Sequence, residues 1–232
     1  MLSIQVVAKS KLYSRYLPMK RFVAAALFLS ASVFAPAQQN APNAGFPFKN
    51  MSELKPPAGA KVAIVAFEDM ECPVCAADAP LVRKAVADYK IPFVRRDYPL
   101  TEIHVWSFDA AVTARYIEDK ISPTLAEQFR RDVFANQIRI SNKDDLARFT
   151  QKWFASHKQN LPFVMDASGN CRAEVKSDRA LGDHLNVHAT PCVFVVTQNK
   201  WVHVEDMHQL YRVLDHAIAE TKAPAAIPHR RN

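Results

Sequence analysis

Cys72-Pro73-Val74-Cys75 is the stretch of this chain whose residue types and spacing promise chemistry. It follows a short apolar run, Val62 to Phe67, and opens a segment of helical apolar spacing that ends near Tyr89. The placement matters because the thiolate, not the thiol, attacks a disulfide. A helix N-terminus offers unpaired N–H groups and partial positive charge, which favour Cys72 as the anion. Pro73 suits the first helical position, where its missing N–H has no helical partner. Two intervening residues bring Cys75 round one turn to within reach of Cys72. The spacing predicts Cys72 as an exposed nucleophile and Cys75 as a sheltered resolving thiol.

Other uses of such a pair fit less well. A zinc site needs a second ligand pair at close spacing, and Cys171 and Cys192 are 21 residues apart. Haem attachment needs His after the second Cys, where this chain has Ala76. A purely structural disulfide here would close too small a loop to stabilise much. Metal chaperoning has no Met- or His-rich stretch beside it. With 4 glycines against 15 prolines, no Gly-rich phosphate loop is present. No metal and no cofactor are therefore expected.

The elements that must position the pair can be read from apolar periodicity. Val62–Phe67 reads as a strand buried on both faces, and Pro73–Tyr89 as a helix that Pro80 should kink. Ile91 to Asp97 reads as a second, parallel strand, which completes a βαβ unit. The middle is helical: an Ala-rich segment from Ser107, then a helix capped by Ser122 with Pro123 behind it. A further helix is expected after a capping box at Ser141 and Asp144. Leu125, Phe129, Val133, Leu146, Phe149 and Trp153 read as helix-on-helix core. A helix from about Asn170 to Leu185 precedes a strand at 192–196, a hairpin through Trp201–Val204 and a last amphipathic helix from Met207.

The ends read differently. Lys20-Arg21, the apolar run Phe22–Phe34 and Ala35-Pro36-Ala37 have the layout of a secretory signal peptide covering 1–37, with Met19 an alternative start that would make 1–18 a mis-start. The competing reading is an uncleaved anchor. The chain carries 30 Lys+Arg against 23 Asp+Glu; without the five basic residues of 1–37, 25 and 23 remain, a net of +2. That withdraws the case for a nucleic-acid partner. Residues 38–58 read as a linker and 222–232 as a disordered tail.

Phe67-Glu68-Asp69-Met70-Glu71-Cys72-Pro73-Val74-Cys75 resembles the active-site entry of DsbA-like thioredoxin-fold oxidoreductases, whose pattern is close to F-x-D-x-x-C-P-x-C. Asn186-Val187 with Ala189-Thr190-Pro191 resembles the family's G-V-x-x-T-P stretch, with Asn186 in place of Gly. Tyr98-Pro99-Leu100 with His104 is similar to its entry into a helical insertion. The resemblance spans residues 60 to 220. It implies an α/β, thioredoxin-like fold: a central mixed sheet flanked by helices, in a domain over 59–221 with a helical insertion at about 100–170. It also implies that Pro191 is cis and faces the cysteines, so that Thr190 and Pro191 bind substrate backbone as an added strand. Taken alone, Thr-Pro would read as a trans proline starting a strand.

Two departures bear on chemistry. Relatives carry an acid six positions before the first Cys, where this chain has Ala66. Glu68 either substitutes for it or is merely solvated with Asp69. Strongly oxidising relatives have His where this chain has Val74, so the thiolate loses a partner and a weaker oxidant is expected. Cys171 and Cys192 are left open between a second disulfide and two buried thiols. A single helix over 172–186 would be about 22 Å long, while a bridge needs Cα atoms within about 7 Å. Cys192 directly follows Pro191 and is a candidate to tune the site. His104 and Trp106 read as structural rather than as a peptide groove.

The expected function is an exported thiol–disulfide oxidoreductase, periplasmic in a Gram-negative cell. Its partners would be thiol- or disulfide-containing proteins and a membrane redox protein. The alternatives are a disulfide reductase or isomerase of the same fold, and a redox-silent chaperone or peptide-binding module.

Overall fold

The structure is a computed structural model and describes residues 47–222. The signal-peptide reading of 1–37 and the tail from 223 lie outside the described residues. Four strands form one sheet in the order β2-β1-β3-β4. β1 (Val62–Glu68) is parallel to β2 (Phe93–Asp97), which the helix α1 (Pro73–Tyr89) connects. β3 (Cys192–Thr197) runs antiparallel to β1 and pairs with β4 (Trp201–His203).

All seven residues of β1 are buried, because both faces of the sheet are covered. Ala63, Val65 and Phe67 pack with Leu185, Val187 and Phe194. Val62, Ile64 and Ala66 pack with Val82 and Ala85 of α1 and with Leu210 and Leu214 of α6 (Leu210–Lys222). The alternation follows from the two-residue period of a strand.

The insertion after β2 is formed by α2 (Ser107–Lys120), α3 (Pro123–Asn136) and α4 (Lys143–Ser156). Phe129, Val133, Leu146 and Trp153 are buried in its core, with Leu125 and Phe149 packed against it. Ser122 caps α3 by accepting from Leu125 N–H. The cap of α4 falls one residue later than expected: Asn142 accepts from Asp145 N–H at 2.9 Å, and Asp145 accepts from Ser141 N–H. Asn and Ser are comparable N-caps, so their composition could not choose between neighbours.

α5 (Asn170–His184) joins insertion to sheet. Cys171 and Val175 lie in the helical core, whereas Leu181 and Leu185 pack against the sheet. Gly182 permits this closeness, since a Cβ there would stand 2.4 Å from the Tyr98 ring. Asp97, at the end of β2, receives Arg115 at 2.6 Å and Arg130 at 2.6 Å. Asp178 of α5 receives Arg96 at 2.9 Å and Arg115 at 2.6 Å. Burial alone would raise Asp97, but Arg130 and Arg115 outweigh it and bring it down to about 2.

The linker reading of 38–58 needs correction over its described part. Met51 and Leu54 are buried, and Phe48 sets its ring edge-on to Phe194 at 5.0 Å. Lys49 N–H donates to Leu185 O and Asn50 Nδ2 to His184 O. The apolar residues are few, but they cover a sheet face that would otherwise meet water.

Candidate functional site

Cys72 is the N-cap of α1 and Pro73 its first helical residue. Cys75 is one turn on and 1% exposed. Cys72 itself is 5% exposed, so the expectation of an exposed nucleophile is corrected. The Thr190 carbonyl lies over it: the Cys72 thiol donates to that oxygen at 3.3 Å. The Thr190-Pro191 peptide is cis, and Val74, at 55% exposure, forms an open apolar rim beside the sulfur. Asn186, in place of the family's Gly, has φ 65°, the left-handed region that Asn tolerates better than most residues.

The two sulfurs are electrostatically unlike. A hydrogen bond from Cys75 is the largest influence on Cys72, followed by N–H groups of the first helical turn and by Thr190. Against opposing burial they lower Cys72 from 9.0 to about 6. Among the described residues the buried Thr190 hydroxyl has no hydrogen-bond partner. Ionisation turns the sulfur into an acceptor, which gives that hydroxyl a role in favouring the anion. Burial pushes Cys75 well above its usual range, and the neighbouring Cys72 and Glu68 charges add to this. The arrangement can thus present one thiolate at neutral pH and hold the second sulfur in reserve as a thiol.

The loop before Cys72 is held by residues that the motif does not advertise. Asp69, 1% exposed, accepts from Glu71 N–H and Leu100 N–H, each at 2.7 Å, and lies 2.7 Å from His104 Nδ1. Its own N–H points to Cys75 Sγ at 3.5 Å. Glu71 accepts from Trp106 N–H, and the Trp106 indole donates to Ile140 O. His104 and Trp106 are therefore built into the framework, in line with their structural reading. Gln137, in the 3-10 turn after α3, donates from Nε2 to Met70 O at 2.7 Å and Cys72 O at 3.0 Å. Sequence reasoning missed it, since no local signal marks a glutamine that meets a loop 65 residues away.

Glu68 is 5% exposed and so is not solvated: Arg95 Nε donates to it at 2.7 Å. The second cysteine pair is divided between two cores: Cys171 is buried in the helical core and Cys192 in the sheet core. Among the described residues no group of three or more His, Cys, Asp or Glu is placed to hold a metal ion.

The sheet order, the N-terminal cysteine pair and the cis Thr190-Pro191 peptide define a thioredoxin-like fold with a helical insertion. A family model described as Thioredoxin matches residues 58–216, and the chain belongs to that family. Solved structures of DsbA-like proteins share its fold. Alpha-DsbA1 of Wolbachia pipientis superposes with a TM-score of 0.58 at 15% identity, over 72% of this chain and 90% of that one. The thiol-disulfide exchange protein alpha-DsbA2 of the same organism gives 0.52 at 19%, over 74% and 87%. Proteus mirabilis ScsC in a compact conformation gives 0.56 at 16%, over 73% and 74%. Among curated sequences, Na(+)/H(+) antiporter NhaA 3 of Salinispora tropica is 37% identical over 143 residues, 61% of this chain. The chain spans about a fifth of that relative's length, 21%.

Proposed function

We propose that the chain is an exported thiol–disulfide oxidoreductase that exchanges dithiols and disulfides of protein substrates through Cys72 and Cys75. The observation that carries this reading is the Cys72 sulfur at a helix N-terminus, 3.3 Å from the carbonyl of Thr190. In the oxidised protein a substrate thiolate attacks Cys72 Sγ, and Cys75 leaves with the electron pair of the broken bond. A second substrate thiolate then attacks its own sulfur in the mixed disulfide. The substrate disulfide forms, Cys72 departs as thiolate, and the cysteine pair is reduced. A membrane redox protein would reoxidise it. Run backwards, the same steps reduce or isomerise substrates.

Thr190 and Pro191 would hold an extended substrate backbone beside Cys72. Pro73 and Val74 tune the pair, and the absence of an imidazole at Val74 makes it a weaker oxidant than the strongest relatives. Export rests on residues 20–37 and is supported by the likeness of the fold to a periplasmic thioredoxin-like protein from Salmonella enterica serovar Typhimurium.

A Cys75→Ala variant should trap substrates on Cys72 as mixed disulfides that reducing agent releases. Their identity and redox state report substrate and direction. The same adducts in a Cys72→Ser variant, or none in either, would overturn the reading.

A further inference from the structure

The helical insertion holds a cavity that neither the cysteine pair nor its framework uses. It lies between α2, α4 and the segment before α5 and has a volume of about 320 Å³. That is the lower end of the range for small-molecule sites. None of the residues that fasten the Cys72 loop lines it. Lys143, Leu146, Ala147 and Thr150 form the α4 wall, at the spacing of one helix face. Val112 and Met165 add apolar surface. At the rim Phe163 is fully exposed, so an aromatic ring beside the cavity meets water.

Two polar features interrupt this apolar lining, and each is incomplete. At one end Lys143 and Arg172 share a single carboxylate, Asp109, at 3.0 and 4.0 Å. Among the described residues the Arg172 guanidinium makes no hydrogen bond. The neighbouring Asp166 carboxylate is turned instead to the N–H groups of Cys171 and Arg172. This end therefore keeps a cationic excess and unused donors. The second feature is Thr150, 6% exposed. Thr113, on the α2 wall, donates its hydroxyl to Asp109 O at 2.9 Å. Among the described residues the Thr150 hydroxyl has no such partner. A hydroxyl taken out of water without a partner costs free energy that a polar group on a ligand would offset. Lys143 and Thr150 lie two helical turns apart, about 10 Å along the axis.

We propose that this cavity binds a medium-chain carboxylate that carries a hydroxyl group at its far end. The carboxylate takes the unused donors of Arg172 beside Lys143. The chain lies on Leu146 and Met165 and covers the Phe163 ring. The hydroxyl pairs with Thr150. An extended ω-hydroxyoctanoate matches the span between the two ends. A plain fatty acid lacks the second contact and a neutral alcohol lacks the first, so a molecule with both is preferred. The site asks nothing of the cysteines, and the inference stands apart from the oxidoreductase reading.

Titration calorimetry with ω-hydroxyoctanoate, octanoate and octanol, each below its aggregation limit, tests this. ω-Hydroxyoctanoate should saturate one site per chain and bind about fivefold more tightly than either of the others. Arg172→Gln should weaken ω-hydroxyoctanoate and octanoate about threefold and leave octanol unchanged. Thr150→Val should weaken ω-hydroxyoctanoate and octanol about fivefold and leave octanoate unchanged. Cooperative thermal unfolding shows whether each variant is folded. If T150V is not, R172Q, at a half-exposed residue, decides alone. The absence of saturable binding overturns the proposal. So does a variant that weakens all three ligands alike, or none, since that marks an apolar patch without recognition at its ends. Octanoate binding as tightly as ω-hydroxyoctanoate removes the role of Thr150 and overturns it as well.

Discussion

Two pairs of buried thiols share this molecule, and they differ in almost everything but residue type. Cys72 and Cys75 stand at the start of a helix, one turn apart, beneath the Thr190 carbonyl. Cys171 and Cys192 stand inside two separate cores. Cys72 is lowered to about 6, whereas burial, with Asp166 nearby, raises Cys171 to about 11. All four are buried, so burial does not separate reactive from inert cysteines here. What separates Cys72 from Cys171 is whether the surrounding groups favour the anion: N–H groups and a neighbouring thiol at Cys72, burial and the Asp166 carboxylate at Cys171.

Removing one sulfur from each pair is the strongest way to break this contrast. Cys72→Ser should abolish disulfide exchange, by at least about a thousandfold in insulin reduction. Cys171→Ala should leave it within about twofold. Equal losses would mean that the pairs are not functionally distinct. Alkylation of the native reduced protein comes next. At pH 7 the thiolate fractions of Cys72 and Cys171 differ by about 10⁴. Peptide mass spectrometry should therefore find Cys72 modified long before Cys171, which should label only on unfolding.

The same difference has a consequence for stability. Cys72 is depressed relative to an ordinary 9.0, so the unfolded chain binds more protons than the native one between about pH 6 and 9. Its contribution should be fully present above about pH 9 and be lost as pH falls through about 6. Urea unfolding of reduced protein should show this rise with pH, and Cys72→Ser should remove it. The smallest expected effect belongs to Thr190→Val, which deletes the hydroxyl that favours the anion. The midpoint of the Cys72 thiolate absorbance should move up by less than about one pH unit. A downward movement would show that the hydroxyl does not act on the sulfur.

Much of the frame was legible in the sequence because its signals are local. The helix from Pro73 to Tyr89 and the strand beginning at Cys192 fall where periodicity and the flanking prolines put them. Ser122 before Pro123 marked a cap that the structure contains. The packed arm at Phe48, Met51 and Leu54 was not legible, since a Pro- and Asn-rich stretch carries no period to read. Nor was the cap at Asn142, where two good capping residues are adjacent.

For the site, the sequence by itself determined the chemistry of one sulfur. Cys-Pro-x-Cys at the start of a helix places unpaired N–H groups beside Cys72 through backbone geometry alone. Only the tertiary structure decided what lies over it and beneath its partner. The Thr190 carbonyl arrives from 118 residues away and Gln137 from 65. The Glu68–Arg95–Glu127 ion pairs join β1, β2 and α3. Those contacts depend on which chain segments the sheet register and the insertion bring together. That is a property of packing, which no spacing along the chain encodes.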